Sequence, residues 1–340
     1  MRGAAWSRPS RASQIAQLIA EDFFGDMLDL ATRDMSQEAL ALTGLGEGRT
    51  WSGMPEVEAV RAMRPSGTAQ AAGPDSGRLY SVRTSKRIRS LGADDRVVRL
   101  FLTLISAMDR ARDATQLWRA GMSLYEEGPE TFDPQLVAGL EFDTLLGILK
   151  SSGVSRRHRP DTRAWLRIAD SLSAGPPSPV TRLIDAGRGD ARELLRDLKT
   201  RDENGRSRFP LLRGPKLGPM WIRIMANPGR AVIDRIETIP VAVDVQVRRA
   251  TENLGVTGTR GLPLLKAKPV IHQAWFDAIS RVDIGGPSGI AGTCAALDPA
   301  LWFFGRHGCG HCEKTNRKVR FGRACDHCVR FGESDSVRAG

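Results

Sequence analysis

The chain has 340 residues, 41% of them hydrophobic and 26% charged, which suits a globular protein of two or three domains with a sizeable core. No run of about 18 apolar residues occurs, which excludes a membrane-spanning helix, and the basic start MRGAAWSRPSRASQ lacks the apolar centre of a secretory signal, so a cytoplasmic protein is expected. A formal charge of +11 and a sequence pI of about 10.0 point to a polyanionic partner, and without a strongly amphipathic basic helix nucleic acid is favoured over a membrane surface.

Leu, Ala and Arg are abundant, aromatics are only 6%, and no series of alternating strands stands out, so an all-α protein is expected. A first helix is expected over 12–32. Residues 64–80, RPSGTAQAAGPDSGRLY, carry the Gly, Pro and Ser of a linker. The segment 1–93 is read as an N-terminal helical region of unassigned role. Val97, Leu100, Phe101, Leu104 and Ile105 recur at three- and four-residue steps, as do Leu145, Leu146 and Leu149, and these mark amphipathic helices. SRRHRPDTR brings Arg156, Arg157 and Arg159 together, as a phosphate-contact loop or as a solvated run. A second break falls at 173–190, where Gly175, Pro176 and Pro177 stop a helix.

The stretch 209–256 is the most informative. PLLRGPK (210–216) reads as a turn between two helical patterns, ARELLRDLK (191–199) before it and one with Met220, Trp221, Ile224 and Met225 on a single face after it. A glycine turn feeding a helix N-terminus presents backbone N–H groups and the positive end of the dipole. It can therefore hold a phosphate without reading sequence. Pro219 is compatible only within the first helical turn, which places the helix start near Lys216. On this reading Arg213, Gly214 and Gly218 are DNA-backbone contacts. Asp244 follows the apolar run 239–243 and precedes Val247, Ala250 and Leu254, the position of a helix N-cap, with Gly255 as the stop.

Pro210, Gly214, Lys216, Val243, Asp244, Val247 and Arg248 together resemble the signature of the helix-hairpin-helix DNA glycosylases. The resemblance extends more weakly from about residue 140, where FDTLLGILKSSGVS looks like an early helix of that family, to 312, where LDPALWFFGRHGC leads to its cysteine cluster. IPVAVDVQVRR is closest to the 8-oxoguanine branches. The resemblance implies a two-lobed helical bundle over 94–300 that flips a modified base out of double-stranded DNA, acting as a monomer. Lys216 and Asp244 would be its catalytic pair. The hairpin is one residue longer than the family's, the interval to Asp244 is extended by ANPGRAVIDRIET, and Ser151–Ser152 stand where a Gln-rich motif is usual. The substrate is therefore left open between an oxidised purine and a modified pyrimidine, hypermodified phage bases included.

The chemistry fits these residue types. A lysine that attacks the sugar must be neutral, and a helix N-terminus supplies a field that favours the neutral form. A carboxylate stabilises the positive charge that develops on the sugar. A Schiff base followed by β-elimination would add AP-lyase activity. The plainer alternatives are a phosphate-binding Lys216 and an Asp244 that only caps its helix. Arg248 and Arg249 are phosphate contacts or solvated surface. Trp275 and Phe276 stack on a base or, as is commoner for helical aromatics, fill the core. His272 is expected to be structural and Cys294 buried.

Residues 301–340 form a basic appendage. Cys309 and Cys312, then Cys325 and Cys328, make two CxxC hooks separated by twelve residues, a spacing that presents four thiolates to one metal. Zinc is expected, with a 4Fe–4S cluster as the alternative, because the spacing differs from the family's cluster motif. Arg317, Lys318 and Arg320 lie between the hooks as a phosphate clamp. The rival readings are a non-catalytic DNA-binding protein and a monofunctional glycosylase of anti-phage defence.

Overall fold

A computed structural model describes residues 55–64, 93–174, 177–254, 256–280 and 289–309. Among these, the fold is almost entirely helical, with two three-residue strands. It divides between Ile239 and Pro240 into two compact units. The expected helix over 12–32, all of the linker but Arg64, Gly175, Pro176, Gly255 and the basic segment from 310 onward lie outside the described residues.

The first unit contains α1 (Pro55–Met63), α2 (Asp95–Ala107), α3 (Ala114–Glu127), a 3-10 turn (Pro129–Phe132), α4 (Pro134–Ala138), α5 (Phe142–Ser151) and α6 (His158–Ser173). It continues with α7 (Pro179–Ala186), β1 (Arg188–Asp190), α8 (Ala191–Asp197), α9 (Leu217–Ala226) and β2 (Val232–Asp234). The second unit contains α10 (Val245–Asn253), α11 (Leu264–Ile279), α12 (Cys294–Phe303) and a π-turn (Phe304–Cys309).

Local chemistry starts these helices. The Asp94 carboxylate accepts the Val97 amide at 2.8 Å and so caps α2, and Asp113 caps α3 through Gln116 at 3.0 Å. Ser178 and Thr181 form a reciprocal capping box on α7, and Gly187 ends it with φ +66°, a conformation glycine adopts without a Cβ clash. Every residue of α2 from Val98 to Ala107 is buried, so this helix is the axis of the first unit. Around it Phe101 meets Trp118, Tyr125 and Phe132 at centroid distances of 5.9, 6.0 and 5.2 Å, and Phe132 meets Trp165 edge-on at 5.5 Å. Arg99 is the one buried cation of α2. Its Nε donates to the Ile184 carbonyl at 2.7 Å, at the negative end of α7, where a positive charge is favoured.

The strands, which the composition did not suggest, pair in parallel with Gly189 opposite Ile233. Each is too short to show an alternating pattern. The connection from α8 to α9 also differs from the short turn expected. It runs from Leu198 to Lys216 and includes an antiparallel bridge between Arg201 and Ser207. No helix among the described residues is long and apolar enough to cross a membrane.

In the second unit Trp275 is fully buried and its indole N–H donates to Thr251 Oγ1 at 3.0 Å, tying α11 to α10. Trp275 is therefore core, the commoner of the two readings for a helical aromatic, while Phe276 is half-buried.

Candidate nucleic-acid site

Lys216 stands at the start of α9, and Pro219 falls in the first turn, where its missing donor costs nothing. α2 and α9 run antiparallel. Trp221 Nε1 donates to Thr103 Oγ1 at 3.0 Å, and Met225 Sδ lies 3.9 Å from the same oxygen. Further along α2, past its last turn, the buried Asp109 meets the Lys216 amine, Oδ2 to Nζ 3.1 Å. The lysine side chain is 26% exposed and that of Asp109 11%, so the ion pair is largely shielded from water.

The turn before α9 and the helix start use two of their own donors. Leu211 takes a positive φ of 73°, Gly214 N–H donates to the Leu211 carbonyl at 3.3 Å and Gly218 N–H to the Gly214 carbonyl at 3.0 Å. The Gly214 amide is thus engaged within the turn and the Gly218 amide in the first turn of α9, which does not match the open cradle expected of them. Gly218 is needed for close approach: a Cβ there would lie 3.0 Å from the Leu212 carbonyl oxygen. Arg213 projects from this turn and is exposed.

Asp244 caps α10 as its sequence position predicts. Its Oδ1 accepts the Gln246 and Val247 amides at 2.8 and 3.1 Å. The backbone leading into it is pinned. Ala242 N–H donates to the buried Asp298 carboxylate at 2.8 Å, and the backbone of Val241 hydrogen-bonds both the His272 ring and the Cys294 thiol. Burial lowers the His272 pKa, helped by the nearby Lys268 charge, and pushes the Cys294 thiol up to about 12. His272 and Cys294 are structural groups behind Asp244.

Arg248 and Arg249 are tied into the second unit. Arg248 pairs with Glu252 at 2.7 Å and donates to the Thr259 carbonyl at 3.0 Å. Arg249 donates to Gln246 Oε1 at 2.5 Å and to the Gly305 carbonyl at 3.2 Å. Both guanidinium groups thus brace α10, a role neither sequence reading included. In the first unit Arg156 and Arg157 are exposed just before α6 and Arg159 is exposed in its first turn, over the Phe142 ring at 5.1 Å; the buried Asp161 carboxylate takes the Arg156 and Arg157 amides at 2.9 and 2.7 Å.

Of the four metal-hook cysteines only Cys309 is described, buried at the end of the π-turn. Cys312, Cys325, Cys328, Arg317, Lys318 and Arg320 lie outside the described residues, and no metal-holding group occurs among the described ones. The residue that sequence reasoning missed is Asp109. It lies 107 positions from Lys216, one of four charged residues in MDRARD, and no spacing rule marks it out.

No family model matches the chain, and no curated protein or solved structure matches it.

Proposed function

We propose that the protein is a DNA glycosylase that excises a modified base; Lys216, in the first unit, is proposed as its nucleophile and Asp244, in the second, as its stabilising carboxylate. The observation that carries this reading is a lysine amine at a helix start, largely withdrawn from water and held by a buried carboxylate, within the hairpin-like motif. Such shielding suits an amine that must be delivered neutral to carbon. The fixed rotamer of Asp244 supports it, because a preorganised carboxylate does not have to reorient as charge develops.

The chemistry requires the nucleotide to leave the base stack, since its anomeric carbon is unreachable there. Lys216 Nζ then bonds to C1′ while the glycosidic bond breaks and its electron pair departs with the base. Loss of a proton from Nζ and opening of the sugar give an imine. β-Elimination next breaks the C3′–O bond and nicks the strand. The DNA is held by Arg213 and by the basic segment carrying Arg317, Lys318 and Arg320. The base is an oxidised purine or a modified pyrimidine. The four cysteines Cys309, Cys312, Cys325 and Cys328 are proposed to hold zinc as a structural staple, with no part in these steps.

The test is borohydride trapping on duplexes bearing single modified bases. A covalent adduct that vanishes in Lys216→Gln is the expected result. Absence of any adduct or released base across oxidised purines and modified pyrimidines would overturn it. A second reading has one observation in its favour: a neighbouring carboxylate stabilises the ammonium form, which suits a phosphate-contact lysine. A monofunctional or non-catalytic DNA-binding protein would then result. Base release that persists in Lys216→Gln but is lost in Asp244→Asn identifies the monofunctional enzyme.

A further inference from the structure

We propose that Asp109 is the positioning residue and proton acceptor of Lys216. The inference rests on the lysine chemistry proposed above. Asp109 is placed by the packing of α2 on α9, and its own amide is fixed by a 3.1 Å bond to the Ser106 carbonyl. Its carboxylate Oδ2 is 3.1 Å from Nζ, and its side chain is the more buried of the two.

Other charges surround the pair. Arg110 and Arg112 follow Asp109 on the same turn; Arg110 is matched by Asp161 of α6 at 2.6 Å, and Arg112 donates to the Val154 carbonyl at 2.6 Å. Arg213, on the lysine's own turn, is exposed. Arg110 has a carboxylate partner of its own, whereas Arg112 bonds only backbone carbonyls and also feels the Asp109 charge, so the Asp109 carboxylate faces both the lysine amine and this guanidinium.

In the resting protein the carboxylate favours the ammonium form and holds it at the helix start. Seating a nucleotide removes water from the pair. An ion pair loses more by drying than a neutral amine beside a carboxylic acid does. One proton then passes from Nζ to Oδ2: the N–H bond breaks, an O–H bond forms, and the nitrogen lone pair is released toward C1′. The total charge and proton count of the pair are unchanged.

The experiment measures Lys216 reactivity directly, by trace acetylation of the full chain with acetic anhydride across pH and mass spectrometry of the Lys216 peptide. In the wild type the labelling midpoint is expected above that of the same lysine in the urea-unfolded chain. In Asp109→Asn it should fall. Borohydride trapping on the same proteins should show its acid limb moving down in parallel while its plateau drops at least about ten-fold, because the proton acceptor is gone. A purely structural role would lower the plateau without moving the limb. A wild-type midpoint at or below the unfolded value overturns the inference without any variant. An unshifted Asp109→Asn midpoint, with trapping that still needs Lys216, overturns it alone. A shifted midpoint with an adduct that survives Lys216→Gln overturns both Asp109's part in the reaction and the lysine chemistry.

Discussion

Replacing Asp161 by alanine isolates what one buried carboxylate contributes to the first unit. Asp161 is 4% exposed and accepts three bonds: the Arg110 guanidinium at 2.6 Å, the Arg156 amide at 2.9 Å and the Arg157 amide at 2.7 Å. Removal leaves both amides without that acceptor, at about 1–3 kcal/mol for each group that stays dry. The side chain of Arg110 is 33% exposed and rehydrates, so its share is discounted. Arg156 and Arg157 are exposed residues, so their amides also recover part of their hydration. A net loss of about 3 kcal/mol follows. At roughly 2–4 °C per kcal/mol for a domain of this size, the first unit should melt about 6–12 °C lower. Differential scanning calorimetry measures this, with Asp185→Ala as the control. Asp185 pairs with Arg96 at a similar 2.7 Å, but their side chains are 58% and 47% exposed, so that change should cost under about 1 kcal/mol. Equal melting shifts for the two variants would refute the argument that burial, not distance, sets the value of these pairs.

Other outcomes follow from the second unit. Asp244→Ala removes the cap of α10 and should cost about 1 kcal/mol in denaturant unfolding, independently of any effect on activity. His272 has a lowered pKa, so the unfolded chain binds its proton first as pH falls. Stability from this group is complete above the ordinary histidine value of about 6.5 and is lost as pH drops from there toward the folded pKa; His272→Gln should flatten that limb of a stability–pH curve. With its thiol pushed up to about 12, Cys294 should stay unlabelled by iodoacetamide at pH 8 in the native chain and react on unfolding; native labelling would contradict its burial. The purified chain should carry about one zinc by elemental analysis, and Cys309→Ser should lose most of it.

Helix positions marked by short-range chemistry were readable in advance. The α9 start at Lys216 came from Pro219 and the Asp244 cap from the apolar run before it, because both depend on neighbours a few residues away. Trp275 as core is the commoner of the two readings open for a helical aromatic. What the sequence did not reveal depends on distant pairing. Asp109 meets Lys216 only because Thr103 and Trp221 set the register of two helices. β1 and β2 are three residues each and exist through one another, so neither has a periodicity to read. Arg248 and Arg249 read as phosphate contacts or solvated surface, and only the fold supplies Glu252, Thr259, Gln246 and Gly305 as their partners.

One contact constrains the order in which the first unit is completed. Glu56 on α1 and Arg223 on α9 form a 2.9 Å bond with both side chains buried, across 167 positions of chain. During synthesis Glu56 emerges long before its counter-ion. Until Arg223 arrives, docking α1 would enclose a carboxylate lacking that partner, at a cost of several kcal/mol. The earliest described helix of this unit is therefore among the last to settle, and a nascent chain stalled before α9 should keep α1 open to proteases.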